Sequence, residues 1–252
     1  MISLIPNPHF LITSHVRQAA NGLIAALLAP PCAVCNAVLD DPLSGCVCRN
    51  CWVSIRPITP PICDRCGDPL ARADHCPLCS GREPIVERSR AVGEYEGSLR
   101  EVIHALKYDG RRSVAQPLAA LMRSHGAALL EQADCIVPVP LHRRREYQRG
   151  FNQARELAQH LGLPIVDALV RRRHTRPQVE LAADRRHSNV EHAFGLRRRW
   201  LHNRLDEMKV VVVDDVSTTG ATLESCAKAL KAAGASAVYA LTAARVVTRR
   251  RR

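Results

Sequence analysis

The sequence predicts an α/β protein, a parallel-sheet domain preceded by a small cysteine-rich domain. Three observations carry this. Nine of the eleven cysteines fall between Cys32 and Cys79. From about residue 90 onward, β-branched runs alternate with stretches of helical period, the pattern of βαβ units in a parallel sheet. The apolar run Val210–Val213 leads at once into Asp214, Asp215 and a Ser/Thr/Gly stretch. In such sheets ligands bind at the carboxyl ends of the strands.

Composition sets the bounds. The chain of 252 residues is long enough for one large domain or two ordinary ones. With 46% hydrophobic and 24% charged residues, it is not wholly disordered, collagen-like or coiled coil. No apolar run of about 18 residues occurs, so no membrane span is expected. The net charge is +12, and only Lys107, Lys209, Lys228 and Lys231 among the 36 basic residues are lysines. Such an arginine excess favours anionic partners such as phosphates, nucleotides or nucleic acid. A compositional bias of the source genome would give the same surface.

Taken in order, residues 1–30 form a lead-in. Val16, Ala19, Leu23, Ala26 and Leu27 recur at helical spacing, which predicts a helix packing on the rest. The start lacks a basic n-region and carries Pro6 and Pro8, so it does not read as a signal peptide. Together with the odd cysteine count, this predicts a reducing, cytoplasmic setting rather than a secreted disulfide scaffold.

Residues 31–82 hold four C-x-x-C pairs: Cys32 and Cys35, Cys48 and Cys51, Cys63 and Cys66, Cys76 and Cys79. The segment is too poor in large apolar residues to build its own core. A tetrahedral zinc ion takes four thiolates, and one tight turn can present two of them. The simplest assignment is two tandem structural zinc ribbons, about two ions per chain. Cys32, Cys35, Cys48 and Cys51 would hold one, and Cys63, Cys66, Cys76 and Cys79 the other. Gly67, directly after Cys66, suits a turn needing positive φ. An interleaved cross-brace would use the same residues. Cys46 in place of Cys48, His75 in place of a cysteine, and thiol exchange also stay open.

The next domain is expected over 90–247. Ala91–Glu96 alternates like a strand. Ser98–Leu106 and Ser113–Leu130 read as helices, the second opened by a capping box of Ser113 and Gln116. Cys135–Val139 reads as a buried strand, stiffened by Pro138 and Pro140 and compatible with a cis bond before one of them. A basic loop and a helix from about Arg149 to Leu161 follow. Pro164–Val166 is a short strand. Residues 171–199 are polar and without period, as in a loop that closes over a substrate. Met208–Val213 is a strand, Thr222–Ala233 a helix and Ala237–Ala243 the last strand. Residues 248–252 are a basic tail.

The chemistry concentrates after Val213. Two carboxylates emerge at a strand end. Ser217, Thr218, Thr219, Gly220, Ala221 and Thr222 then offer hydroxyls, backbone amides and a helix N-terminus to an anion. An acidic pair beside such a cradle fits a phosphorylated sugar. The carboxylates accept from vicinal hydroxyls and the cradle takes the phosphate. Arg143, Arg144, Arg145 and Arg149 in the basic loop offer planar donors to a pyrophosphate.

The stretch Val210–Thr222 resembles the signature of type I phosphoribosyltransferases, which bind phosphoribosyl pyrophosphate (PRPP). The segment Val137-Pro138-Val139-Pro140-Leu141, followed by Arg149-Gly150-Phe151-Asn152-Gln153, resembles the ComF family. So do Thr175, Gln178, Leu181, Arg186, Asn189 and Phe194, together with Tyr95 and Lys107-Tyr108. This resemblance covers about residues 31–247. It implies a double zinc ribbon ahead of a transferase-like domain, with Asp214 and Asp215 as the catalytic acidic pair contacting ribose hydroxyls. The Thr218–Thr222 loop would hold the 5′-phosphate, and Gln178 and Asn189 would join the substrate site. It further implies Mg²⁺ bound with PRPP, an unnamed acceptor, and a link to DNA uptake in natural competence through single-stranded DNA and competence-machinery proteins. A non-catalytic single-stranded-DNA-handling factor and a PRPP sensor are the alternatives. Only nine aromatic residues (Trp 2, Tyr 4, Phe 3) are present, so any nucleic-acid contact would be mostly to phosphates.

Overall fold

The computed structural model describes residues 8–70, 76–81, 84–172, 193–200 and 205–247. It divides into two compact units, Met1–Ile55 and Arg56–Arg252. The boundary passes between the two expected ribbons, so the second ribbon belongs to the same unit as the sheet.

The first unit carries helix α1 (Pro8–Leu28), a 3-10 turn (Pro42–Ser44) and the short helix α2 (Arg49–Val53). The helix forms, but Val16, Ala19, Leu23, Ala26 and Leu27, expected to pack, are all exposed. The buried side chain among those described is that of the polar Asn21, which joins α1 to the turn. Its Nδ2 donates to Asp41 Oδ1 at 2.5 Å, and its Oδ1 accepts from the Leu43 amide at 3.0 Å. No helix among the described residues is long and apolar enough to cross a membrane.

The second unit is a four-stranded parallel sheet in the order β1 (Arg88–Glu94), β6 (Ala237–Arg245), β5 (Lys209–Ser217), β2 (Cys135–Pro138). Between β1 and β2 run α3 (Gly97–Tyr108), α4 (Ala115–His125) and α5 (Ala127–Leu130). After β2 come α6 (Arg143–Arg149) and α7 (Gln153–Ala158). Next is an antiparallel pair, β3 (Leu169–Arg171) and β4 (Phe194–Leu196). Helix α8 (Ala221–Lys231) crosses from β5 to β6. The continuous apolar runs of β5 and β6 are what a sheet covered on both faces requires. Val210–Val213 and all of β6 are buried. One face, with Val210, Val212, Val238 and Ala240, packs on Leu223, Cys226, Ala227 and Leu230 of α8. On the other, a Cβ at Gly126 would stand 2.7 Å from Leu241 Cδ1. Only glycine lets the chain pass the sheet there, which ends α4 one residue earlier.

Several boundaries differ from expectation. The helix expected to open at Ser113 begins at Ala115 behind Val114, with no side-chain cap. Ser113 lies inside a 3-10 turn, Arg112–Val114. The basic loop is helical: arginines favour helix, His142 caps α6, and Gly150 at φ 77 ends it. A second helix then starts behind Asn152, whose Oδ1 accepts from the Ala154 and Arg155 amides. Ile165 makes only an isolated bridge to Ile136. Strand β5 runs on through the acidic pair to Ser217. Among the described residues the cis peptide is Pro60–Pro61, and none precedes Pro138 or Pro140.

Candidate functional site

The cysteines settle into two groups of four, Cys32, Cys35, Cys48, Cys51 and Cys63, Cys66, Cys76, Cys79, with ligand atoms all within 4.8 Å of one another in each. This is the tandem pairing, not the cross-brace. A zinc–sulfur bond of 2.3 Å sets tetrahedral sulfurs about 3.8 Å apart. The Sγ atoms of Cys32 and Cys51 lie at 3.9 Å, Cys35 and Cys48 at 3.8 Å, Cys63 and Cys79 at 3.8 Å, and Cys66 and Cys76 at 3.6 Å. Both sets therefore fit structural zinc. Cys46 stands outside both groups, and His75 lies outside the described residues.

One hairpin builds the first half of each site. The Cys32 amide donates to the Ala37 carbonyl and the Asn36 amide to Cys32. In the second, Cys63 donates to Asp68 and Gly67 to Cys63. The turn residue is left-handed in both, Asn36 at φ 59 and Gly67 at φ 71. Burial raises the Cys32 thiol's pKa, but amide bonds, led by Cys48, outweigh it and bring the group down to about 6. Such amide donors favour the thiolate that a metal needs. Cys135 and Cys226 are core thiols, and burial pushes both upward, Cys135 to about 11.

The acidic pair sits near the carboxyl end of β5. Successive strand residues point to opposite faces, so Asp214 shares the α8 face and Asp215 the α3 face. Asp215 is buried and takes a 2.9 Å ion pair from Lys107 Nζ, which reaches it from α3. Asp214 Oδ1 accepts from the Asp215 amide at 2.8 Å. Burial first, then the Asp215 charge, push Asp214 up to about 7, against the pull of Lys107 and Arg171. Arg171, at the end of β3, feels both Asp214 and Arg145 of α6. Of the two guanidinium groups, Arg171 is the one that acts on the Asp214 carboxylate. Thr242 on β6 is in register with Asp214, and its buried Oγ1 bonds to no described residue.

Ser217 closes β5, and Thr218, Thr219 and Gly220 lead into α8. A Cβ at Gly220 would meet nothing within 4 Å, so it is the left-handed φ of 79 alone that favours glycine there. The Ala221 amide approaches Thr219 Oγ1 at 3.5 Å. Arg143 and Arg144 are exposed on α6. Arg149 stacks on Tyr108 at 4.9 Å and Arg112 on Phe151 at 5.5 Å. Gln178 and Asn189 lie outside the described residues. Sequence reasoning missed Lys107 and Arg171 as site residues. A signal existed for the first, since a lysine in a chain that otherwise uses arginine marks a place for a compact point charge.

Residues 147–252 match the phosphoribosyl transferase domain family, and residues 23–80 match the double zinc ribbon domain family. The chain is 32% identical over 217 residues to "Competence protein F" of Haemophilus influenzae, covering 81% of this chain and 91% of that protein. The chain belongs to the ComF family. It is also 34% identical over 188 residues to "DNA utilization protein YhgH" of Escherichia coli, covering 70% of this chain and 81% of the relative. "Competence protein ComFC" of Bacillus subtilis is 29% identical over 198 residues, covering 76% and 80%. The family matches agree with the geometry, two four-cysteine sites ahead of a parallel-sheet transferase-like domain.

Proposed function

We propose that this ComF-family protein binds PRPP at the carboxyl end of β5 and serves DNA uptake as a cytoplasmic phosphoribosyltransferase-like protein. The observation that carries the reading is the acidic pair held beside the Ser217–Thr222 cradle, one carboxylate neutralised by Lys107 and the other flanked by Arg171. Asp214 and Asp215 would accept from the ribose hydroxyls. The cradle amides and hydroxyls would donate to the 5′-phosphate, and Thr242 Oγ1 offers one more buried hydroxyl. The guanidinium groups of Arg143, Arg144 and Arg149 suit the pyrophosphate. Mg²⁺ bound with the substrate would neutralise the leaving pyrophosphate. The residues' own task is to orient the ribose and keep water from its anomeric carbon, where positive charge develops. The relatives' names, which speak of competence and DNA utilization, support the biological setting.

The test is thermal. Millimolar PRPP with Mg²⁺ is expected to raise the melting temperature of the wild type, because a ligand bound only by the folded state stabilises it. Inorganic phosphate alone should give a smaller shift. No shift with PRPP would overturn the reading. Turnover of PRPP with a panel of acceptors then separates a transferase from a sensor.

A second reading has its own observation. The exposed Tyr147 and Tyr108 stand with Arg149, Arg112 and Phe151 around α6, a mix of planar cations and rings suited to a single strand. Single-stranded DNA binding that falls steeply between about 50 and about 200 mM salt supports it; none at low salt refutes it.

A further inference from the structure

Arg245 is a buried cation at the last position of β6, and it joins two parts of the second unit. Its Nε donates to Asp68 Oδ1 at 2.8 Å, and its Nη1 donates to the carbonyl oxygen of Cys66. Its side chain is 9% exposed and that of Asp68 15%, so this pair is shielded from water. Asp68 in turn closes the cysteine hairpin, its carbonyl accepting from the Cys63 amide at 2.9 Å. Residues 57–70 also run along the edge of β1. The Ile58 amide donates to Val92 at 2.9 Å, the Ser89 amide donates to Arg65 at 2.6 Å, and Pro57 bridges Gly93.

At its backbone, Arg245 touches the anion cradle. It is the register partner of Ser217, and the Val246 amide donates to the Ser217 carbonyl at 2.8 Å. Its carbonyl accepts from the Tyr95 amide at 2.7 Å. One residue therefore links the carbonyl of a metal-ligating cysteine to the first residue of the cradle. A guanidinium can hold both acceptors at once because its donors form a rigid fork.

We infer that Arg245 is a positioning residue through which the Cys63–Cys79 metal site sets the geometry of the Ser217–Thr222 cradle. Anion binding at that cradle then depends on the second zinc and not on the first. Loosening the second hairpin takes both acceptors from a buried guanidinium, and the strand end bearing Ser217 loses its brace. The inference rests on the cradle being the phosphate site, but its first readout does not.

The experiment is amide hydrogen exchange on the full-length protein, with zinc content and PRPP–Mg²⁺ affinity measured alongside. Asp68→Asn, Arg245→Lys and Arg245→Met are compared with Cys35→Ser, which disables the first site. Asp68→Asn and Arg245→Met are expected to speed exchange at residues 217–221 about tenfold while residues 210–213 stay protected. Affinity for PRPP should fall by a similar factor. Arg245→Lys, able to reach only one acceptor, should fall between. Cys35→Ser should leave exchange at 217–221 unchanged. Unaltered exchange in Asp68→Asn, or an equal rise in Cys35→Ser, would overturn the inference. If Arg245→Met fails to fold, Asp68→Asn, which removes one charge and keeps the shape, decides. A wild type that binds no PRPP refutes the phosphoribosyl reading, and the exchange comparison still decides the role of Arg245.

Discussion

The two cysteine hairpins share one local design and differ in what surrounds them. In both, the first cysteine amide closes a turn and the residue after the second cysteine is left-handed. The first hairpin lies in a unit of its own with α1 and α2. Its left-handed residue is Asn36, a side chain that tolerates that conformation. The second belongs to the sheet unit and has Gly67 there. A Cβ on Gly67 would stand 2.5 Å from the Ser89 carbonyl oxygen, so the hairpin is pressed directly on β1. The same metal-binding motif thus belongs to a unit without the sheet in one copy and is a buttress of β1 in the other. What differs is the neighbour, not the metal chemistry.

The largest expected effect comes from removing the metals separately. Structural zinc contributes folding free energy on the order of 10 kcal/mol per site. Freshly purified wild type should contain about two zinc ions per chain. Cys32→Ser should lose one and loosen residues 31–55 while the sheet unit keeps its melting temperature. Cys63→Ser should also lose one, and should lower the melting temperature of the sheet. Cys135→Ser and Cys226→Ser should lose none. Metal analysis with calorimetry reads all four, and equal effects of Cys32→Ser and Cys63→Ser on the sheet would erase the contrast.

A smaller effect isolates the neighbour from the metal. Gly67→Ala adds a Cβ against backbone at a left-handed φ, a cost of at least about 1–2 kcal/mol for the conformation alone, with the clash in addition. Asn36→Gly keeps the left-handed turn and should change stability by only a few tenths of a kcal/mol. Denaturant midpoints of the two variants check the pair. Similar midpoints would mean that Ser89 yields and the hairpin is not pressed on β1.

Much of this was legible in the sequence. Four C-x-x-C pairs pointed to the ligand set because paired thiolates at that spacing have few other uses, with Cys46 and His75 open as substitutes. The pairing of the pairs was open, because tandem and interleaved sites use the same residues. Only the sulfur distances decide it. The strand, the acidic pair and the cradle were legible because apolar runs and Ser/Thr/Gly stretches are local signals. The helix over Arg143–Arg149 was misread as loop, although His142 before it and Gly150 after it are cap residues. Its high charge hid a good helix composition. Lys107–Asp215 and Arg245–Cys66 were not legible. Each joins residues far apart in the chain, and no local pattern marks which cation faces which acceptor.

The most conditional effect, visible only at high pH, sits at the strand that the buttressed hairpin supports. Asp214 is held up to about 7, with burial as the main cause and the Asp215 charge next. An acid whose folded pKa exceeds its unfolded value of about 3.9 binds its proton more tightly when folded. Ligand-free stability from this group therefore falls as pH rises from about 4 to about 7, and is lowest above 7. Asp214→Asn removes that fall. At pH 8 the variant's melting temperature should exceed the wild type's by roughly 2–4 °C for each kcal/mol regained, and the two should converge at about pH 4. Binding runs the other way. A charged carboxylate accepts from a ribose hydroxyl more strongly than a neutral group does, and loss of such a charge-assisted hydrogen bond costs about 1.5–3 kcal/mol. Wild-type affinity for PRPP should then rise with pH through about 7. Asp214→Asn should be about ten- to hundredfold weaker at pH 8, with the gap closing toward pH 6 as the wild type takes up its proton. Cys35→Ser should keep the wild-type profile, because the first hairpin lies outside the unit that carries Asp214. A flat wild-type profile, or an asparagine variant that binds as well at pH 8, would show that Asp214 does not act as the charged acceptor.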